Sequence, residues 1–445
     1  MKQRIMIWGI GLLLCFAAPL TAQDASTGFT LEKAIQYGLE NNRQVKNAYL
    51  DVQIAKKKIW ETTSMGLPQI SGEVGYQHFI DLPVSVAPAE AFGGPPGEFA
   101  ELKFGTKNNV SAGITVSQLL FSGEYLIGLQ AAKTYARYSE EQKKKTDIDI
   151  RDAITTSYIQ ALMAKRNREV LEENQQQIAG LVKEIKAMHE AGFVDGLDVD
   201  ILVLQEAQLN DAVAKSKAFE TTAADLLKLQ MGYPQDQSIT FEDELKTLAE
   251  AALSASAFPA FDVNSQIDVK LAISGEALSL LEVKRQKSTR YPTLAGFLNH
   301  SQNAYRNQFN FFNNGSWYPT TIAGLTIQIP IFDSRGQASR IKQAQFALEQ
   351  VGNTRKLLED KANMEYQSAL TSWNASLSAF KTAKNNLQLA ERILERMTIR
   401  HKEGLATSTE LIQTQNQLIT TKIAYYNASA ELLLARARIQ KLLNQ

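Results

Sequence analysis

Apolar side chains recur at alternating steps of three and four along two long stretches of this chain. Leu370, Trp373, Leu377, Phe380, Leu387, Ala390, Leu394 and Met397 keep that rhythm, with Lys384 the one interruption. Leu411, Thr414, Leu418, Thr421, Tyr425, Ala428, Leu432, Ala435, Ile439 and Leu442 repeat it, and Leu171, Ile178, Leu181, Ile185 and Met188 form a shorter version in the first half. A seam of this period predicts helices wound on helices, and the many alanines and small polar residues along it let those helices approach closely. Proline placement agrees: residues 97–233 and 331–445 contain none, so neither stretch carries the residue that most effectively breaks a helix. Long helices are expected between Gly123 and Gly192 and between Arg335 and Gly404. At 1.5 Å per residue each is on the order of 100 Å long.

A second rhythm, of period two, occupies short segments. Ile70, Gly72, Val74, Tyr76 and His78 fall on one face and Gln69, Ser71, Glu73, Gly75 and Gln77 on the other; Leu325, Ile327, Ile329 and Ile331 alternate with Thr326, Gln328 and Pro330. Strands are expected at about 67–80, 110–121, 292–304 and 320–332. One apolar and one polar face over about 10 residues suits an outer-membrane barrel strand, although a half-buried soluble sheet gives the same pattern. The neighbouring loops favour the membrane: residues 305–318 carry Tyr305, Phe309, Phe311, Phe312, Trp317 and Tyr318, as an interfacial aromatic girdle would. Four strands cannot close a barrel and open edges are not tolerated in lipid, so this reading requires several copies to pool their strands.

The chain is also an internal repeat. Ala112–Phe121 matches Ala323–Phe332 at an offset of 211, His189–Phe193 matches His401–Leu405 at 212, and the block around Pro68 matches that around Pro292 at 224. The first half therefore has extra residues between its matched blocks. The expected organisation is a signal peptide at 1–22, a first repeat at 23–231, a linker at 232–266 and a second repeat at 267–445.

Lys2 and Arg4 precede an apolar run from Ile5 to Ala18 and a small-residue region ending near Ala22, the layout of a secretory signal. Cys15, the only cysteine, lies inside that segment, which leaves no disulfide or thiolate ligand beyond it; Leu14 before it argues against lipidation. Beyond this segment no run of about 18 apolar residues suggests a membrane helix. Lys and Arg balance Asp and Glu at 47 each, so there is no basic footprint for nucleic acid. No triad, phosphate-cradling loop or metal motif emerges, and neither an enzyme, a cofactor nor a metal is expected.

The duplicated helix, strand, strand, helix, helix plan, with the opening Leu31–Asn42 and the strand exit Ile329–Gly336, resembles the TolC-type outer membrane efflux family over almost the whole chain beyond the signal. The resemblance implies a mainly α fold with a small β part: a homotrimer whose protomers each give four strands to a 12-stranded barrel in outer-membrane lipid, continuous with a long periplasmic α-helical coiled-coil barrel. It further implies a passive channel of a tripartite efflux pump or type I secretion system in a Gram-negative-type outer membrane. Its partners would be a periplasmic adaptor (membrane fusion protein) and an inner-membrane transporter of the resistance-nodulation-division or ABC type. In the family the turns farthest from the membrane dock the adaptor; the matching residues here are Gly192, Phe193 and Val194, and Gly404, Leu405 and Ala406. Asp198 and Glu410 stand where family members place acidic gate or selectivity residues, although Gln413 replaces a further acidic position. Both also lie in helix starts, since Thr407–Glu410 reads as a capping box and Asp195–Asp198 as a variant of it, so capping is their expected main role. His189 and His401, at equivalent positions near these turns, read as solvated helix-end side chains. The rival readings are a soluble periplasmic coiled-coil adaptor or scaffold, and a periplasmic hydrolase on a helical frame.

Overall fold

The computed structural model describes residues 27–254, 258–313 and 315–444; the segment 1–22 read as a signal, with Cys15, lies outside them. In chain order the elements are β1 (Thr27–Phe29), α1 (Leu31–Asn41), α2 (Arg43–Ser64), β2 (Gln69–His78), β3 (Val84–Pro88), β4 (Phe99–Lys103), β5 (Asn108–Phe121) and α3 (Gly123–Glu190). There follow α4 (Gly196–Met231), β6 (Ile239–Phe241), α5 (Leu245–Ser254), α6 (Ile267–Ser288), β7 (Thr293–Arg306), β8 (Tyr318–Gln328), α7 (Gly336–Lys402) and α8 (Ser408–Leu442). The fold is mainly helical, and the helix, strand, strand, helix, helix plan occurs twice. The helices α3 and α7, of 68 and 67 residues, each measure about 100 Å along the axis. None of the helices among the described residues is long and apolar enough to cross a membrane.

The described chain forms two compact units, one from the segments ending at Gly38, Ile154–Ser254 and Phe380–Leu433, the other from Leu39–Ala153, the segment ending at Ala379, and Leu434 onward. In the first unit, three-residue strands β1 and β6 pair in parallel. Phe29, Tyr37 and Tyr233 close a triangle of edge-on rings with centroids 5.6–5.7 Å apart. Tyr158, fully buried on α3, places its hydroxyl 2.8 Å from the Phe29 carbonyl and 3.0 Å from the Asp243 carboxylate. Asp243 in turn accepts the Leu31 backbone N–H at 2.7 Å, so one buried phenol fastens the N-terminal strand to the segment that follows β6. The interruption of the α7 seam at Lys384 has a partner: its ammonium donates to Glu250 of α5 at 2.9 Å, and this bond raises the Lys384 pKa and lowers that of Glu250.

In the second unit β2, β5, β7 and β8 form one antiparallel sheet in that order. The helices adjoining these strands follow the same order, α2-α3-α6-α7. Lys56 of α2 pairs with Glu140 of α3 at 3.2 Å, Lys145 of α3 with Asp268 of α6 at 2.7 Å, and Glu276 of α6 with Arg355 of α7 at 2.9 Å. Lys441 near the end of α8 reaches Asp149 and Asp152 at 3.1 and 3.0 Å. The linker lies along α7 through two ring contacts one heptad apart: Phe258 edge-on to Trp373, and Phe261 stacked on Tyr366 with centroids 4.4 Å apart. The loop between β2 and β5 holds the hairpin β3–β4, paired from Val84↔Lys103 to Pro88↔Phe99.

Tyr158→Phe removes one donor shared by the Phe29 carbonyl and the Asp243 carboxylate, each of which keeps a backbone N–H, at a cost of about 1 kcal/mol. The expected result is faster limited proteolysis near residues 27–30; an unchanged rate contradicts it. Burial, reinforced by the Asp243 charge, pushes the Tyr158 phenol up from an ordinary value near ~10. The stability tied to the neutral phenol is therefore complete below roughly pH 10 and lost as pH rises through the folded-state value; Tyr158→Phe should flatten that alkaline loss.

Candidate functional site: helix turns and strand edges

The sequence-predicted docking residues lie in two turns of matching construction. Helix α3 stops because Gly192 takes φ 80°, and α7 because Gly404 takes φ 71°, a left-handed conformation that L side chains adopt only at a cost. In the first turn the Phe193 N–H donates to the Met188 carbonyl and the Gly192 N–H to that of His189, both at 2.9 Å. In the second the Leu405 N–H donates to Arg400 at 2.8 Å and the Gly404 N–H to His401 at 3.0 Å. Both are Schellman motifs, which satisfy the last carbonyls of a helix. The residue after the glycine in such a motif ordinarily packs an apolar side chain back on the helix. Here Phe193 is 80% and Leu405 64% exposed, so each turn presents an uncovered apolar side chain. Val194 turns inward, packing with Val199 against Ile178, Val182, Ile185, Leu202, Leu209 and Ile412, and Ala406 is half-buried.

The two histidines brace these turns by different bonds. His189 Nδ1 lies 2.8 Å from the Val194 carbonyl, and His401 Nε2 lies 3.2 Å from Ser408 Oγ. The two acidic candidates differ more. Glu410 completes a reciprocal capping box: its carboxylate accepts the Thr407 N–H at 2.8 Å and hydroxyl at 3.1 Å, while its own N–H donates to Thr407 Oγ1 at 3.2 Å. The backbone bond from Thr407, then the side-chain bond, hold the Glu410 carboxyl below its ordinary range. At the other turn Asp195 caps α4 through the Leu197 N–H at 3.2 Å. Asp198 closes no box, and its carboxylate has no partner among the described residues.

The sheet has two chemically distinct faces. By register, Ile70, Val74 and Tyr76 of β2 share a side with Val110, Ile114 and Val116 of β5, Leu294 and Leu298 of β7, and Leu325 and Ile327 of β8. Ile70, Val74 and Leu325 are each more than 70% exposed. The opposite side carries Ser71, Glu73, Ser111, Thr115, Asn299, Ser301, Thr320 and Thr326. Phe309 and Phe311 pack edge-on against Tyr76 at centroid distances of 5.6 and 6.2 Å, so the aromatic loop sits over the end of the apolar face. The outer edges of β2 and β8 pair with nothing among the described strands. The corresponding edge helices also carry uncovered apolar groups: Leu50, Ile54 and Trp60 on α2, and Phe346, Leu357 and Met364 on α7. No group of three or more His, Cys, Asp or Glu placed to hold a metal ion occurs among the described residues.

The glycines mark both turns in the sequence itself. The α2 and α7 edge faces leave no such mark, because isolated exposed apolar residues carry no signal until the helix order is known.

Comparison with known proteins agrees with this geometry. Residues 269–445 match the family model described as outer membrane efflux protein. Over 425 residues the chain is 20% identical to the outer membrane efflux protein BepC of Brucella suis biovar 1 (strain 1330), covering 94% of this chain and 85% of BepC. Its fold matches CusC at TM-score 0.72, with 17% identity over 93% of this chain and 91% of the other. It matches the CmeC outer membrane channel of Campylobacter jejuni at TM-score 0.73, with 15% identity over 93% and 85%.

Because Thr407 makes both halves of its box, Thr407→Ala is expected to weaken the first turn of α8 by about 1 kcal/mol. Hydrogen exchange of the Glu410 amide should then quicken roughly fivefold. Glu410 contributes as the carboxylate, so its share is present above the ordinary carboxyl pKa and lost as pH falls through the lowered value. Asp198→Asn should leave exchange in α4 unchanged; equal effects at both turns would contradict the asymmetry.

Proposed function

We propose that this chain, which is similar to outer membrane efflux proteins over residues 269–445 and in its whole fold, is a TolC-type channel protein and one protomer of a homotrimeric channel in a tripartite export system. It is an outer-membrane efflux channel protein with a periplasmic helical extension, a duct rather than an enzyme. The observation that carries assembly from several copies is the pair of unpaired strand edges on a sheet with one apolar face; the number three follows the resemblance to trimeric channels. In lipid each unpaired backbone group costs several kcal/mol, and single-chain outer-membrane barrels start at about eight strands. Joining β8 of one copy to β2 of the next pairs both edges. It also brings the apolar side of α7 against that of α2, and three such heterologous contacts close a ring of twelve strands. The lipid face is then the one bearing Ile70, Val74 and Leu325, and the lumen face the one bearing Ser71, Thr115 and Asn299.

Docking of a periplasmic adaptor, itself joined to an inner-membrane transporter of the resistance-nodulation-division or ABC type, is assigned to the two turns. Gly192, Phe193 and Val194 serve in one, Gly404, Leu405 and Ala406 in the other. Phe193 and Leu405 supply the apolar contact, and Val194 holds Phe193 outward by packing inward. The glycines leave the surface open: a Cβ built on either meets nothing within 4 Å, so the fold needs glycine there for its left-handed φ and not for want of space. Asp198 is the stronger gate candidate of the two acids, because its carboxylate is uncommitted, whereas Glu410 is held by its cap. Whether small molecules or proteins are exported depends on the transporter.

Two experiments test this reading. Purified protein reconstituted in planar bilayers should give stepwise, cation-preferring currents, and Asp198→Asn should reduce that preference more than Glu410→Gln; absence of pores overturns the channel assignment. Asparagine tolerates the left-handed conformation, so Gly404→Asn should keep the turn folded and the trimer intact while filling the open surface. Adaptor cross-linking and export should fall at least tenfold; wild-type export in Gly404→Asn would mean that the glycine serves only to end the helix.

A further inference from the structure

Away from the turns and the strand edges, a groove of about 470 Å³ opens between α2 and α3. Tyr135 and Tyr138, one turn apart on α3, lay their rings along it with centroids 6.3 Å apart and planes 22° from parallel. From α2 come Gln44, Asn47 and Asp51 with the apolar Ala48 and Ile54, and from α3 Gln142. Several other polar groups of the groove are already used. Ser139 Oγ and Thr146 Oγ1 donate to carbonyls of their own helix at 3.0 and 3.1 Å, and Lys143 Nζ pairs with Asp147 at 2.6 Å. The side chains of Gln44, Asn47, Asp51 and Gln142 and the two phenol hydroxyls have no hydrogen-bond partner among the described residues. The site thus combines two near-parallel tyrosine rings, Tyr135 exposed to solvent, with amides that both donate and accept and one carboxylate that accepts.

That combination selects among ligand classes. An apolar solute favours an enclosed apolar pocket with few polar groups, and this groove is open and amide-rich. An anion would meet the Asp51 carboxylate while the nearby cation is neutralised by Asp147. A pyranose ring fits both halves: its C–H face lies flat on a tyrosine ring and removes apolar surface from water, while its hydroxyls exchange hydrogen bonds with amides and a carboxylate. The volume falls within the ~300–1,000 Å³ of small-molecule sites. We propose that the groove between α2 and α3 binds a neutral oligosaccharide, with the Tyr135–Tyr138 pair as the stacking surface and Asn47, Asp51 and Gln142 reading the hydroxyls. All of these groups come from a single chain, so the inference does not depend on the channel assignment.

The test uses the full-length protein in a zwitterionic detergent without a sugar headgroup, titrated with maltotetraose, cellotetraose and chitotetraose by calorimetry and saturation-transfer NMR. At least one sugar should bind saturably, with transfer to its ring C–H protons. Tyr138→Ala and the double variant Asn47→Ala/Gln142→Ala should each weaken binding at least tenfold, while Tyr138→Phe, which keeps the ring, weakens it less than threefold. Circular dichroism and mobility on native gels confirm that the variants are folded. Failure of all three sugars to saturate the wild type overturns the inference, as does equal binding by the variants. Binding of tetraethylammonium that Asp51→Asn abolishes, without sugar binding, overturns it in favour of a cation site. Pore currents in bilayers should be the same in all these variants, so a wild type that conducts but binds no sugar rejects this site alone, and a wild type that binds sugar but gives no currents rejects the channel alone.

Discussion

An unpaired backbone edge is tolerable in water and very costly in lipid, and that difference governs the molecule. Four strands with an apolar face leave two edges open, and the only economical remedy in a membrane is another copy of the same edges. Once β2 and β8 are interface strands, other features acquire reasons. The helix order copies the strand order, so the apolar sides of α2 and α7 fall at the same two boundaries as the open edges. The polar face of the sheet, rich in serine, threonine and asparagine, becomes a wetted wall that a passing solute meets without strong binding. Ion pairs between successive helices add to the buried apolar residues, such as Val52 and Ala55 of α2 and Leu281 and Val283 of α6, that hold neighbouring elements in order.

Duplication gives the chain two copies of each device, and the copies have diverged in an instructive way. Both long helices end in the same Schellman geometry, with an apolar side chain thrown outward. The helix starts that follow do not match: one uses a complete threonine–glutamate box, the other a single aspartate cap that leaves the next acid free. A ring built from three such chains therefore alternates two kinds of tip. The divergence extends to the opposite ends of the strands, where one loop folds a hairpin and the other gathers aromatic rings over Tyr76.

Periodicity made much of this legible. Heptad seams and the absence of proline announced α3 and α7, and period-two alternation announced the sheet, because both patterns are local. Lys384 broke its seam for a reason no local pattern contains, since Glu250 lies 134 residues away. The parallel pairing of β1 with β6 was equally hidden, two three-residue strands joined across about half the chain. The β3–β4 hairpin lay within a proline- and glycine-rich stretch that reads as irregular. Alternation also overran the end of β8: Ile329 and Ile331 continue the rhythm, but Pro330 cannot donate to a ladder, and Ser334 and Arg335 at φ 52° and 66° turn the chain into α7. At the turns the glycines and the threonine–glutamate box could be read from residue type alone. That Phe193 and Leu405 stay uncovered while Val194 is covered could not, because it depends on how three helices pack.

Disulfide trapping across the postulated seam tests the central claim most directly. Ile54, at the rim of the α2–α3 groove, and Phe346 are each exposed and each stand ten residues from the strand-side end of their helix, which sets them at matching heights on the two helices that a β8-to-β2 junction between copies brings together. Cys15 is the only native cysteine, which keeps the background simple. Oxidised Ile54→Cys/Phe346→Cys protein from outer membranes should run as covalent dimers and trimers that collapse to monomer on reduction, while neither single variant exceeds a dimer. A chain that stays monomeric in water, or whose two cysteines join only within one copy, contradicts the account.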